Sequence, residues 1–333
     1  MKLGTFVFQN LEHVGLLVEK ETVADVTAGY AAYLHDSGSG NAYELAKVLA
    51  PRSMLKLIEG GRTSLAAIKE TGLFLKGKPD LKGIRGEKIF YSLDEVNLRA
   101  PIPRPPKILA PALNHKQVWE RIIGPTKTNP HPVYFIKLST CVTGPYDPIE
   151  IPDIGVVGSE VEIGLVVGRR GKNIPIENAE EYIFGYTIHN DITAHELRDK
   201  EEWVSIKSAA NDGKEMRITY AGRYKCFDTF APMGPWLVTK DEMPSIQNCP
   251  MEARLNGKPI QKGTTADMVF NFSEILSYFS KAHTLEPGDI LSSGTCTFAP
   301  GWNLKNVDLR KIGGVLESEV DGIGTLRNPI KPI

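Results

Sequence analysis

Two carboxylates, Glu160 and Glu162, stand two residues apart at the head of the apolar run Gly158-Ser-Glu-Val-Glu-Ile-Gly-Leu-Val-Val-Gly168. Strand side chains alternate, so both should project from one face. Two anions leading into a buried Val/Ile/Leu run repel each other and lose hydration unless a cation lies between them. A third acid, Asp191, ends a second alternating run, Tyr182-Ile-Phe-Gly-Tyr-Thr-Ile-His-Asn-Asp191. If the two strands are neighbours, three carboxylates converge. Such a set suits a hard divalent cation, Mg²⁺, Mn²⁺ or Ca²⁺, with positions left for water and substrate. A Glu-x-Glu pair alone is more often a solvated strand edge. The third acid and the motifs below carry it past that reading.

The elements that must position these acids are legible along the chain. Residues 1 to about 20 alternate as a β-hairpin, with Leu3, Thr5 and Val7 set against Val14, Leu16 and Val18. Helical patterns follow over Thr22 to Leu34, Ala42 to Ala50, Pro51 to Glu59 and Ser64 to Phe74. The proline-dense stretch Arg99-Ala-Pro-Ile-Pro-Arg-Pro-Pro106 can be neither a central strand nor a helix interior, which divides the chain into a small domain, 1–100, and a larger one, 101–333. Beyond it lie short β-rich runs: Ile108 to Ala112, Val133 to Lys137, Glu160 to Val167, Phe184 to His189, Trp236 to Thr239, Met251 to Asn256 and Ile290 to Ser292. Asn271 to Phe279 reads as a helix and 257–259 as a hairpin turn. The fold class these imply is a mixed, β-rich α+β architecture rather than a doubly wound sheet.

Composition narrows the function. The 333 residues carry 39 basic and 40 acidic side chains, a net charge of −1, which offers no electrostatic footprint for nucleic acid or an acidic membrane. Cys141, Cys226, Cys249 and Cys296 are scattered without a C-x-x-C pair, so neither a disulfide framework nor a thiolate zinc site is expected. With no signal-peptide pattern and no apolar run of membrane-spanning length, a cytoplasmic location is the expectation.

Glu160-Val-Glu162, Gly185-Tyr-Thr-Ile-His-Asn-Asp191, Lys225-Cys-Phe-Asp-Thr-Phe-Ala-Pro-Met-Gly-Pro-Trp236, Asn256-Gly, Leu285-Glu-Pro-Gly-Asp-Ile290, Gly294-Thr295 and Gly322-Ile-Gly-Thr-Leu-Arg-Asn328 occur in one order. In that order and spacing they resemble the fumarylacetoacetate hydrolase family over roughly residues 100 to 330, and the first hundred residues resemble the small N-terminal domain some members carry. The resemblance implies rolled mixed sheets, a homodimer, and Mg²⁺ or Mn²⁺ on Glu160, Glu162 and Asp191. It further implies that Lys225 reaches the metal site, with Lys207 as a rival, and that Gly294 and Thr295 meet a substrate carboxylate.

The chemistry such a site supports acts on a 1,3-dicarbonyl or 2-oxo acid. A divalent ion polarises the carbonyls, and Lys225 adds positive charge where negative charge develops. Hydrolysis also needs a base for water. Many members have an Asn-Tyr-x-x-His-x-x-Glu segment for this. The present chain reads Asn114-His115-Lys-Gln-Val118-Trp-Glu120-Arg121, with Val118 and Arg121 at the positions of the dyad. His115, Glu120 and His131, the last in a loop read as mobile, are the candidate replacements. Two further departures are His195, where arginine is common, and Arg198, where glutamine is common; the Arg198 guanidinium suits a carboxylated substrate. The insertion between Trp203 and Lys225 reads as a surface loop, with a lid or dimer contact as alternatives.

On family frequency the first expectation is a hydrolase cleaving a C–C bond in an acylpyruvate or other β-diketone, as in aromatic compound catabolism. The alternatives are a 2-oxo acid decarboxylase, hydratase or tautomerase on the same metal platform, which loss of the dyad favours, and a non-catalytic ligand-binding homologue.

Overall fold

The computed structural model describes residues 1–122, 131–207 and 212–333. Its organising strand is Val161–Val167, buried at every position. Antiparallel to it on one side runs Ile183–Asn190, with Glu162 opposite His189 and Gly164 opposite Thr187. On its other side lies Ile290–Ser292, with Gly164 opposite Ser292. The sheet continues past Ile290–Ser292 through Ile108–Ala112, in parallel, to Val133–Lys137.

In the other direction Ile183–Asn190 pairs with Ala231–Thr239, which pairs in turn with Lys2–Phe8. Leu11–Glu19, Thr22–Asp25 and Phe90–Ser92 complete that side. The N-terminal hairpin is thus hydrogen-bonded into the sheet that carries the acids. A second, five-stranded sheet holds Lys258–Thr264, Pro250–Leu255, Val315–Val320, Gly324–Pro332 and Ile149–Ile151 in that order. The mixed, β-rich α+β class is as expected.

Alternation along Val161–Val167 divides the interior. Val161, Ile163, Leu165 and Val167 share one apolar cluster with Met251, Ala253, Leu255, Leu316 and Val320 of the second sheet. The opposite face carries Glu162, Gly164 and Val166. There Val166 joins Leu57, Ile58 and Ile68 from helices Met54–Glu59 and Gly61–Leu75. One face of the strand is therefore spent on core. The other divides between core at its C-terminal end and chemistry at its N-terminal end.

Three expectations change. Thr22–Asp25, read as the start of a helix, is a strand paired with Leu11–Glu19. The helix is Val26–Asp36, begun by Asp25, whose Oδ1 accepts from Thr27 N at 2.8 Å and Ala28 N at 3.0 Å; β-branched Thr22 and Val23 suit the pleat better. Helix Phe272–Ala282 extends beyond Phe279 and carries a capping box between Asn271 and Glu274. The insertion after Trp203 is not a plain loop, since Trp203–Lys207 pairs with Glu215–Thr219 as a hairpin. Among the described residues no helix is long and apolar enough to cross a membrane.

Gly185 marks where two of these strands touch most closely, for a Cβ built there would lie 2.1 Å from Val238 O. Gly185→Ala must push Ile183–Asn190 away from Ala231–Thr239, and we expect a stability loss of roughly 1–3 kcal/mol, read as a lower urea midpoint.

Candidate metal centre and active site

Glu160 precedes the central strand, Glu162 is its second residue, and Asp191 directly follows the neighbouring strand. Backbone bonds bind the two strand ends together: Asp191 N donates to Glu160 O at 2.8 Å, and Glu160 N donates to Asn190 Oδ1 at 3.1 Å. One oxygen from each of the three carboxylates lies within 4.8 Å of the others. The convergence expected from the sequence is present.

Two buried ammonium groups enter the cluster. Lys225, in the short 3₁₀ turn Arg223–Lys225, donates to Glu160 Oε2 at 2.8 Å, Asp191 Oδ2 at 2.5 Å and Thr193 Oγ1 at 2.7 Å. These three bonds use all three of its donors. Its Nζ also lies 4.9 Å from the centre of the Phe135 ring. Lys137, at the end of Val133–Lys137, donates to Asp191 Oδ1 at 2.5 Å and to Ile192 O at 3.2 Å. Sequence reasoning placed Lys225 here but passed over Lys137, whose position at a strand end resembles an ordinary solvated terminus. The signal available was its register, two residues from Phe135 and four from Val133 on one side of the strand.

Burial and charge set the protonation pattern. Burial would raise the carboxyl of Asp191, but Lys137 and Lys225 outweigh it and hold Asp191 well below the usual carboxylate range. Burial opposes the charge on Lys225 as well, yet Asp191 and Glu160 hold that ammonium above an ordinary lysine. Glu160 is raised by burial, with Lys225 pulling against the rise. Glu162 is raised furthest, by burial and then by the charge of Asp191. Among the described residues no ammonium bonds to it; Ser292 Oγ and, at 3.2 Å, Gly294 N both donate to its Oε2. Among the described residues two ammonium groups bond to Glu160 and Asp191 and neither bonds to Glu162, so Glu162 is the carboxyl left without a cation of its own. An all-oxygen donor set with a charge deficit at its centre fits a hard divalent cation.

Glu160, Glu162, Asp191 and Lys225 line a cavity of about 660 Å³. Its walls include Pro111, Leu113, Phe135, Phe298 and Leu304, with Arg198 and Thr295 as further polar groups. Arg198 also pairs with Asp199 at 2.8 Å. Thr295 accepts from Gln261 Nε2 at 3.0 Å. Gly294 does not line the cavity, and its N–H is turned to Glu162 instead. Thr219, Tyr220 and Ala221, from the insertion, form part of the wall, which corrects its reading as a surface excursion. Lys207 is exposed on that hairpin and does not line the cavity.

The candidate bases sit elsewhere. His115 is buried, 3.8 Å from Asp267 Oδ2, with its Nε2 3.3 Å from where a Cβ on Gly263 would stand, and outside the cavity wall. Burial pushes its imidazole below the ordinary histidine range. Glu120 is exposed and also outside the wall. His131 stacks on Tyr278, with ring centres 5.2 Å apart; Asn129 and Pro130 of the loop read as mobile, and the side chain of Arg121, lie outside the described residues. His195 is buried, and burial with the charges of Lys225 and Arg198 pushes it down to about 3. Among the described residues no histidine lines the cavity.

Residues 107–331 match the fumarylacetoacetate (FAA) hydrolase C-terminal family model. Oxaloacetate tautomerase YisK of Bacillus subtilis (strain 168) is 30% identical over 333 residues, covering 99% of this chain and 100% of that protein. A mitochondrial oxaloacetate tautomerase of Xenopus laevis is 31% identical over 294 residues, 87% of this chain and 81% of that one. In structure the chain resembles maleylpyruvate hydrolase from Sphingobium sp. SYK-6, solved with manganese(II) and pyruvate, at a TM-score of 0.67 and 22% identity, covering 100% of this chain and 99% of that one. The chain belongs to the fumarylacetoacetate hydrolase family, whose matched members include tautomerases, hydrolases and isomerases.

The charge deficit at Glu162 gives a measurable consequence. A carboxyl whose folded pKa exceeds its unfolded value binds more protons when folded, so its contribution to stability falls as pH rises between the two. In metal-free protein, Glu162→Gln should therefore melt at a higher temperature than wild type above that window. The gap should close as pH falls and wild-type Glu162 protonates, and Mn²⁺ titration of the variant should show lost uptake.

Proposed function

We propose that the protein is a metal-dependent tautomerase that interconverts the keto and enol forms of a small 2-oxo dicarboxylate such as oxaloacetate. The observation that carries this reading is the placement of His115 and Glu120 outside the cavity. Hydrolysis requires a base within reach of the attacking water, whereas tautomerisation consumes no water and breaks no C–C bond; the proton that leaves carbon for oxygen is then carried by a group other than His115 and Glu120. The end-to-end likeness to a bacterial oxaloacetate tautomerase supports the same choice.

Glu160, Glu162 and Asp191 would hold the cation, with Mg²⁺ or Mn²⁺ matching the oxygen ligands. Bound there, a divalent ion supplies Lewis-acid polarisation of the 2-oxo group. Lys225 keeps its charge against burial and places an ammonium beside the oxygen on which negative charge develops. Lys137 holds Asp191 ionised and in place from its far side. Arg198, on the cavity wall, offers guanidinium donors to the second carboxylate of the substrate, and the Thr295 hydroxyl offers a further polar contact. The apolar wall excludes water and strengthens each of these interactions.

The test follows the decay of enol absorbance of oxaloacetate with purified protein and Mn²⁺. Catalysis should vanish with a chelator and fall about 10²–10³-fold in Lys225→Met, as for loss of one preorganised electrostatic group. His115→Ala and Glu120→Gln should leave it nearly unchanged. Acetate and pyruvate released from acetylpyruvate, abolished by either of those two substitutions, would overturn the reading in favour of C–C hydrolysis.

A further inference from the structure

We propose that His189 and Ser292 form a positioning relay that fixes the Glu162 carboxylate for the cation. Three adjacent strands supply the parts. Glu162 lies on the central strand, its cross-strand partner His189 on one neighbour, and Ser292 on the other. The imidazole reaches Ser292 across the central strand at Gly164. A Cβ built on Gly164 would stand 3.0 Å from Ile290 Cγ2, 3.4 Å from Thr187 Cγ2 and 3.6 Å from His189 Cβ, so glycine leaves that face of the central strand open beside His189.

Hydrogen counting fixes the direction of the relay. Ser292 Oγ has a single hydrogen, and it is donated to Glu162 Oε2. The 2.8 Å contact between Ser292 Oγ and His189 Nδ1 must then run from ring to hydroxyl, which puts the ring hydrogen on Nδ1. Nε2 is left as an acceptor, buried and without a partner among the described residues. An orphaned buried nitrogen costs stability that an apolar side chain of similar size would not. Packing therefore does not account for the imidazole, whereas holding the Ser292 hydroxyl in one orientation does. With Gly294 N on the same oxygen at 3.2 Å, Oε2 is pinned and Oε1 remains for the metal. His189 is thus a positioning residue acting through Ser292, and the inference rests on the reading of the three carboxylates as a metal site.

Mn²⁺ affinity of the metal-stripped, full-length protein tests it by calorimetry, independently of turnover. His189→Leu and Ser292→Ala should weaken binding about 10–100-fold, the usual effect of losing a group that orients a metal ligand. His189→Asn, whose amide hydrogen can stand near the position of Nδ1–H, should recover most of the affinity. Circular dichroism and melting on each variant separate misfolding from the effect; should His189→Leu not fold, Ser292→Ala decides. The relay is overturned if folded His189→Leu and His189→Asn bind alike, or if Ser292→Ala binds as wild type does. Wild-type protein that takes up no Mn²⁺ would instead overturn the metal centre, and the relay with it.

Discussion

The burial of Asp191 between two lysines is the interaction on which the site depends. Each oxygen of this carboxylate meets one ammonium, Lys137 on Oδ1 and Lys225 on Oδ2. Taking three charges out of water is costly, and it is offset only when geometry and further hydrogen bonds satisfy all of them. Here Ile192 O and Thr193 Oγ1 accept the additional donors. The two lysines come from chain segments separated by nearly ninety residues. Their meeting at one carboxylate ties the Val133–Lys137 strand and the turn before Ala231–Thr239 to the end of Ile183–Asn190.

Against that triplet, whose surplus positive charge Glu160 meets through Lys225, Glu162 stands apart. It is buried to a similar degree but receives only hydroxyl and amide donors. A fold selected for stability alone gains nothing from a carboxylate in this state. Among the described residues Asp191 is doubly paired and Glu162 meets no ammonium, an asymmetry that fits a centre able to take an added cation. The same burial that makes the protein's own charges costly makes them effective on a substrate.

The N-terminal hundred residues are part of this arrangement. Lys2–Phe8 extends the sheet, and Leu57, Ile58 and Ile68 pack near Val166 on the face that carries Glu162 further along. The second sheet supports the opposite face through Ile163 and Leu165. The central strand is thereby held from both sides, and Glu160, Glu162 and Asp191 project from elements that have little freedom to shift.

Much of this was legible in the sequence, and the boundary has a physical origin. Alternation over Glu160 to Val167 and over Phe184 to Asp191 is a local property, since a strand turns every second residue to one face. It put Glu160 and Glu162 on one face, while bringing Asp191 to them rested on the two strands being neighbours and on the ordered motifs that resemble the family. The helices of the first hundred residues and the N-terminal hairpin followed from periodicity in the same way. What alternation cannot report is which distant segment closes over a face. Lys137 read as a strand terminus until the sheet order brought it beside Asp191. His189 lay in a quoted motif without a role until Ser292 arrived from a strand a hundred residues later. His115 and Glu120, near the positions of the usual dyad in sequence, lie outside the cavity, the first buried beside Asp267 and the second exposed. Tyr220 and Ala221 joined the wall because the inserted segment folds back as a hairpin. The sequence by itself determined the acids and the faces they share. Tertiary structure alone decided which cations, hydroxyls and walls meet them, because those partners are set by long-range strand pairing and not by local spacing.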